Sequence, residues 1–425
     1  MTEAALLNLA PAPAATRTGA AAGERFLVLD SRRGICALLV ALFHFPTMSM
    51  ISQSAFVGGS YLFVDFFFVL SGFVIASSYG SRLGEPNELA SFALVRFGRI
   101  YPLHLLMLTA FAGFEAMRLV LPALHGTGSA PFTGGFGVRS LVANLFLLQG
   151  MGVEDHLSWN APSWSISAEF FTYPLFAGVV FATGKRAWIW FVAAAATAPF
   201  FLLAFSTRHM DVSFDFGFIR CLYGFSLGAL LAWFQHDSIA EARQAMVGGA
   251  GRIAWTLAEF VMIAVIGMFV SVAGTNDTGI AAPVVFALAL YLFAHEGGLV
   301  SALLRSRPML LLGSLSYSIH MIHIFVQARM INIGGLIERK LGFGIVGGMT
   351  LRGDQVAGFG VGSPWIGFAA IVAMLIAVIV APWFSWRFVE RPALAWFRRL
   401  SKRIWPKQLQ EKCFPPAIAS KQGDS

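Results

Sequence analysis

Residues 29–45 read LDSRRGICALLVALFHF, with paired arginines ahead of an almost wholly apolar run that closes on a histidine at position 44. At about 100° per residue, the eleven steps from Arg33 to His44 return to nearly the same helical face, roughly 16 Å further along the axis. A cation that opens an apolar helix, with an imidazole in line with it, predicts a membrane-crossing segment. Arg33 is expected at the membrane surface and His44 near the bilayer centre. An ionisable group at that depth costs at least about 2.5–3.5 kcal/mol unless it is paired or functional, so the stretch predicts a role as well as a span.

The rest of the chain repeats the signal. Of its 425 residues, 57% are hydrophobic and 12% charged, against roughly 25% charged in soluble domains. By the rule that a spanning helix needs about 20 mostly apolar residues, about ten segments qualify. They cover roughly 34–52, 57–79, 100–123, 163–183, 187–205, 214–234, 253–273, 280–297, 308–330 and 364–386. The fold class is all-α, a polytopic integral membrane protein with about ten transmembrane helices.

Charge alternation orients it, because cytoplasmic loops carry the lysines and arginines. With the N-terminus inside, 22 of the 30 basic residues fall on the inner side. Six fall outside (Arg139, Arg208, Arg329, Arg339, Lys340, Arg352), and Arg118 and Arg220 lie within helices. Both termini are therefore expected in the cytoplasm. The net charge of +8 reads as an orientation signal with some attraction to anionic lipid, and gives no support to nucleic-acid binding. Cys36, Cys221 and Cys413 offer no disulfide framework. Residues 1–24 read as a disordered tail, 25–395 as the membrane domain and 396–425 as a basic cytoplasmic tail. The SRRG run imitates a twin-arginine signal, but cleavage is not expected with nine more spans behind it.

Several ionisable residues fall inside the predicted spans. Asp65, in an apolar run, must pair, protonate or line a polar cavity. Ser71 beside Gly72 reads as close helix packing or as substrate contact. Arg96 and Arg99 share one helical face; they are either positive-inside charge or a phosphate clamp at a helix N-terminus. Trp159 and Trp164 flank a proline turn and are expected at the outer interface. Glu169 has no basic residue three or four positions away, unlike Glu115, which has Arg118 at i+3. His320 and His323 form an HxxH, but a metal site needs further ligands and none is predicted. Counted from the predicted boundaries at 1.5 Å per residue, His44, Asp65, Glu169 and His323 lie roughly 15, 18, 21 and 22 Å from the inner face. Four helices thus bring ionisable groups to one layer. The glycine-rich stretch LGFGIVGGMTLRGDQVAGFGVGSP (341–364) reads as a flexible outer loop and lid, not a nucleotide loop.

Taken in order, these motifs resemble the acyltransferase 3 family of integral membrane O-acyltransferases. The resemblance rests on Arg33 with His44, VDFFFVLSGF (64–73), RFGRIYP (96–102), PSWSISAEF (162–170), SYSIHMIH (316–323) and ERP (390–392). It covers residues 29–392. Two departures stand out. Ser31 and Arg32 replace a Gly and a Leu of the usual opening, and His320 stands where an aromatic is common. The resemblance implies an acyl-CoA donor, frequently acetyl-CoA, and a hydroxyl acceptor on a carbohydrate or a small hydroxylated metabolite. No tightly bound cofactor is implied.

The corresponding expectation is an enzyme of the inner, cytoplasmic membrane that O-acylates a cell-envelope or exported carbohydrate. Arg33, Arg96 and Arg99, with Ser71, would hold the donor. His44 would act as general base on the acceptor hydroxyl, with an acyl-histidine relay as the open alternative. Glu169 would orient the acceptor or the imidazole, and Asp65, Trp164, Ser165 and His323 would line the substrate site. A proton-coupled secondary transporter is the rival reading.

Overall fold

The computed structural model describes residues 27–121, 130–208, 210–245, 249–342 and 344–406. Its helices, in chain order, are α1 (Leu27–Phe43), α2 (Ala55–Gly58), α3 (Phe63–Tyr79), α4 (Pro86–Val120), α5 (Val138–Leu145), α6 (Ser163–Thr183) and α7 (Ala187–Phe205). There follow α8 (Gly217–Ala245), α9 (Gly249–Ala273), α10 (Ala282–Ala294), α11 (Leu299–Leu304) and α12 (Arg307–Leu341). A hairpin of β1 (Val346–Leu351) and β2 (Asp354–Phe359) precedes α13 (Pro364–Ser385) and α14 (Arg391–Ile404). Eight segments are long and apolar enough to cross a membrane. One of them, Ser163–Phe205, holds both α6 and α7, which part at a turn where Gly184 has φ +54°. The 17-residue α1 is slightly shorter than the segments counted. The chain is an all-α polytopic membrane protein with one small sheet. The expected tail at 1–24 and residues 407–425 of the expected tail at 396–425 lie outside the described residues, and the first part of the latter, to Ile404, is helical in α14.

The first helix differs from its predicted span of 34–52. It begins seven residues earlier, where Val28 and Leu29 are buried and Asp30 lies in the first turn. It stops at Phe43 because Pro46 lacks a donor and disfavours helix at the residue before it. Arg33 therefore lies in the second turn instead of opening the helix, and His44 is the first residue past its end. The segment that follows is irregular, with Phe45, Thr47, Ser49 and Ser52 buried and Met48, Met50 and Ile51 exposed. Thr47, Ser49 and Ser52 hydrogen-bond one another through their hydroxyls. Met48 N donates to Phe359 O (2.8 Å), and Phe359 N donates to Pro46 O (3.0 Å).

That partnership explains why residues 341–364 are not a shapeless loop. Helix α12 runs to Leu341, and β1 and β2 pair antiparallel from Val346↔Phe359 to Leu351↔Asp354. The two turn residues, Arg352 and Gly353, have φ of +53° and +94°, the combination a type I′ hairpin turn requires.

Small residues set the helix contacts around the core. A Cβ on Gly228 of α8 would lie 1.8 Å from Val69 O of α3, so the α3–α8 crossing needs glycine there. On α12, a Cβ on Gly313 would lie 2.3 Å from Asp30 O. That contact sets α1 parallel to α12, with Asp30 beside Gly313 and His44 beside His323.

Candidate active site

The α1–α12 register puts two histidines in contact. His44 Nδ1 lies 3.2 Å from His323 Nε2 and 2.9 Å from Val40 O. His323 Nδ1 lies 3.1 Å from Ile319 O. Backbone carbonyls only accept, so in the neutral pair His323 carries its proton on Nδ1 and offers the Nε2 lone pair to the Nδ1–H of His44. The Nε2 of His44 is then left as a free base, and no described residue hydrogen-bonds it. His44 is half-buried, and His323 is enclosed at the midpoint of α12.

Arg352, at the hairpin tip, closes the end of α1. Its Nη1 donates to Phe43 O (2.7 Å), a carbonyl the ended helix leaves without an intrahelical partner, and its guanidinium lies 4.0 Å from the Phe43 ring centroid. Desolvation lowers this guanidinium from its ordinary value. The Phe43 ring in turn meets the His44 ring edge-on at 4.9 Å.

One level inward lies a narrow cavity of about 40 Å³, lined by Arg33, Ser165, Glu169, Ser316 and His320 with Phe67 among its apolar walls. Arg33 makes no ion pair with any described residue. Glu169 accepts from Tyr173 OH (2.7 Å), which lies 3.0 Å from Ser71 Oγ. Arg96 continues the path inward. Its guanidinium sits 5.3 Å from the ring centroid of Tyr79 and 5.7 Å from that of Tyr173, and its Nε has no partner. Among the described residues, no group of three or more His, Cys, Asp and Glu is placed to hold a metal ion.

Comparison with known sequences bears on this arrangement. The sequence model of the acyltransferase 3 family, an acyltransferase domain, matches residues 27–397. The chain belongs to the acyltransferase 3 family. It is 42% identical over 103 residues to Protein 2 in picA locus of Rhizobium radiobacter, covering 23% of this chain and 50% of that protein. It is 32% identical over 178 residues to Acyltransferase MdmB of Streptomyces mycarofaciens, covering 41% of this chain and 40% of that protein. The match thus spans half or less of each relative's length. No solved structure matches the chain. The chain is accordingly a multi-pass membrane protein of this family.

The family motifs do not all meet at one place. Arg33, Ser165 and Glu169 share the cavity, His44 and His323 form the pair above it, and Ser71 and Arg96 stand below. Three expected site residues are otherwise engaged. Asp65 does not reach the cavity: both its oxygens accept from Arg220, at 3.0 Å from Nε and 2.7 Å from Nη2, in a fully buried pair. Arg220 also donates to Val212 O and Tyr61 O. Arg99 is paired with Glu390 of the ERP motif, and that carboxylate also accepts from Ser318 Oγ (2.6 Å). Helix α4 starts at Pro86 rather than near 100, so Arg96 and Arg99 lie roughly three and three and a half turns inside it. The helix N-terminus that would have made them a phosphate clamp is elsewhere. Trp164 is 8% exposed and Trp159 3%. Neither faces lipid, and Trp164 packs against Phe68 and beneath the Arg220 guanidinium instead of presenting a face to a sugar.

Four contributors were not singled out from the sequence for these roles. Tyr173 stands one turn from Glu169, a spacing that could have suggested the bond. Glu390 was in a quoted motif without an assigned partner. His320 was noted as part of an HxxH and as a departure from the family pattern. The Arg352-Gly353 turn lacks the usual Asn-Gly or Asp-Gly signal, and its glycine is one of many in that run.

Proposed function

We propose that the protein is an acyl-CoA-dependent O-acyltransferase of the inner membrane. It crosses the bilayer ten times with both ends cytoplasmic, its catalytic unit lies within about 25–395, and it transfers an acetyl group to a hydroxyl of a cell-envelope or exported carbohydrate. The ten spans are the helices α1, α3, α4, α6 to α10, α12 and α13. The observation that carries the reading is the His44–His323 pair, beside which His320, 6.0 Å from His323, lines a cavity shared with Arg33 and Glu169.

In this reading the donor enters from the cytoplasm past Arg96, whose cation attracts its phosphates, and its arm runs on into the cavity lined by Arg33. Its thioester reaches His44, and the acceptor hydroxyl approaches from the hairpin side. His44 Nε2 takes the hydroxyl proton as the oxygen attacks the thioester carbon, and the resulting imidazolium is held by the Nδ1–H···Nε2 bond to His323. The carbon–sulfur bond breaks as the tetrahedral adduct collapses, and the leaving thiolate takes the proton back from His44. The products are the O-acyl ester and free CoA. The transporter reading loses one carboxylate of its proton relay, because Asp65 is neutralised by Arg220.

Purified protein given acetyl-CoA labelled in the acetyl group should release CoA and label an envelope or exported carbohydrate, and His44→Ala should abolish both. Normal turnover by that variant refutes the mechanism. Mass spectrometry of the same carbohydrates from a deletion strain, read for a lost acetyl mass, tests the acceptor class.

A further inference from the structure

His320 departs from the family pattern, and its surroundings set its proton. Its Nε2 lies 2.9 Å from Ser165 Oγ and 3.3 Å from Pro162 O, while Ser165 itself donates to Pro162 O at 2.8 Å. The Nε2 therefore carries the hydrogen and Nδ1 keeps its lone pair. That Nδ1 is buried and has no partner, and Ser316 Oγ, one turn earlier on the same face of α12, is buried and unpartnered as well. Both residues line the cavity that holds Arg33. Leaving a buried polar atom unpaired costs about 1–3 kcal/mol, so an acceptor and two donors on residues that line one cavity mark a place for a ligand group that carries both N–H and C=O.

We propose that this cavity is the subsite for a secondary amide of the thioester donor, with its N–H accepted by His320 Nδ1 and its carbonyl held by Ser316 and Arg33. The inference rests on the acyl-CoA reading, and it names the part of the donor that lies here. About 40 Å³ of free space admits a linear chain and excludes a nucleotide or a sugar ring. The position along the chain fits too. Two methylenes separate a CoA thioester sulfur from its nearest amide, and the His320 ring follows the His323 ring at 6.0 Å, one turn along α12. A donor whose thioester lies against the His44–His323 pair therefore carries its nearest amide towards His320.

The test is a double-mutant cycle on binding, using the full-length protein in detergent and titrating with S-ethyl-CoA and an analogue in which the N–H of the amide nearest sulfur is replaced by CH2. In the parent, losing the N–H should weaken binding about 5- to 10-fold. His320→Leu should weaken S-ethyl-CoA by a similar factor and bind the two ligands equally. His320→Asn, with an oxygen near the position of Nδ1, should restore the preference. Ser316→Ala, a smaller change to the fold, should weaken both ligands alike and keep their ratio. Additive penalties in His320→Leu, or equal binding of both ligands by the parent, overturn the proposal while leaving the acyl-CoA reading intact. Failure of the folded parent to bind S-ethyl-CoA at all overturns both.

Discussion

Replacing His323 tests whether the paired rings form a catalytic unit. In the resting pair, His44 Nδ1–H is shared between Val40 O at 2.9 Å and His323 Nε2 at 3.2 Å. His323→Leu removes one acceptor but leaves the carbonyl, so the proton should stay on Nδ1 and Nε2 should remain the base. What is lost is stabilisation of the imidazolium as it forms. A hydrogen bond to a charged group contributes about 1.5–3 kcal/mol, which corresponds to a kcat roughly 10- to 150-fold lower. The KM for the donor should stay within about twofold, because the Arg33 cavity does not include His323. Removing the base itself is more severe: His44→Ala should cost about 10²- to 10⁴-fold. His323→Gln can return an acceptor oxygen to the position of Nε2 and should recover most of the rate. Steady-state kinetics with acetyl-CoA on all three variants provides the measurement. A parent-like kcat in His323→Leu would refute the pair, and so would a His323→Gln variant as impaired as His44→Ala, because the second ring would then be doing chemistry of its own.

Asp65→Asn or Arg220→Met, each leaving a buried charge alone, should lower stability by about 3–5 kcal/mol, whereas Asp65→Leu with Arg220→Met should recover most of it. Thermal unfolding in detergent measures this, and a double variant that is stable but inactive would return Asp65 to the substrate site. Glu390→Gln should leave Arg99 without its countercharge and lower the unfolding temperature, the effect moderated by the 25% exposure of the arginine side chain; a changed donor KM without destabilisation would instead favour a phosphate role. Arg352→Ala should remove the cap on α1 and reduce kcat about 5- to 10-fold, with donor KM unchanged. Gly353→Val, at φ +94°, should act in the same direction by straining the turn, and a parent-like rate in both variants would show that the hairpin does not position His44.

Much of the fold was legible in the sequence because a bilayer imposes a one-dimensional rule: runs of about 20 apolar residues separated by charge. The same rule misplaced α1 and α4. Hydropathy registers where a segment is apolar, but the end of α1 is set by Pro46, and α4 begins at Pro86 behind a capping box of Glu85 and Glu88. Of the residues expected to form the site, those with no countercharge nearby in sequence divided into two kinds. Glu169 proved to share a cavity with Arg33, whereas Asp65 had its countercharge 155 positions away in Arg220. Nothing local separates these two carboxylates.

The sequence by itself determined that this chain is a multi-pass membrane protein, and its ordered motifs placed it in its family, since composition and short spacings are local properties that one strand of text contains. Which polar residues are spent on one another, and which are left free to act, was decided only by the tertiary structure. An ion pair such as Arg220 with Asp65, the tautomer of His44 and the orphaned Nδ1 of His320 each depend on a carbonyl or side chain brought in by another helix. Distances between helices follow from how small residues such as Gly228 and Gly313 let backbones approach.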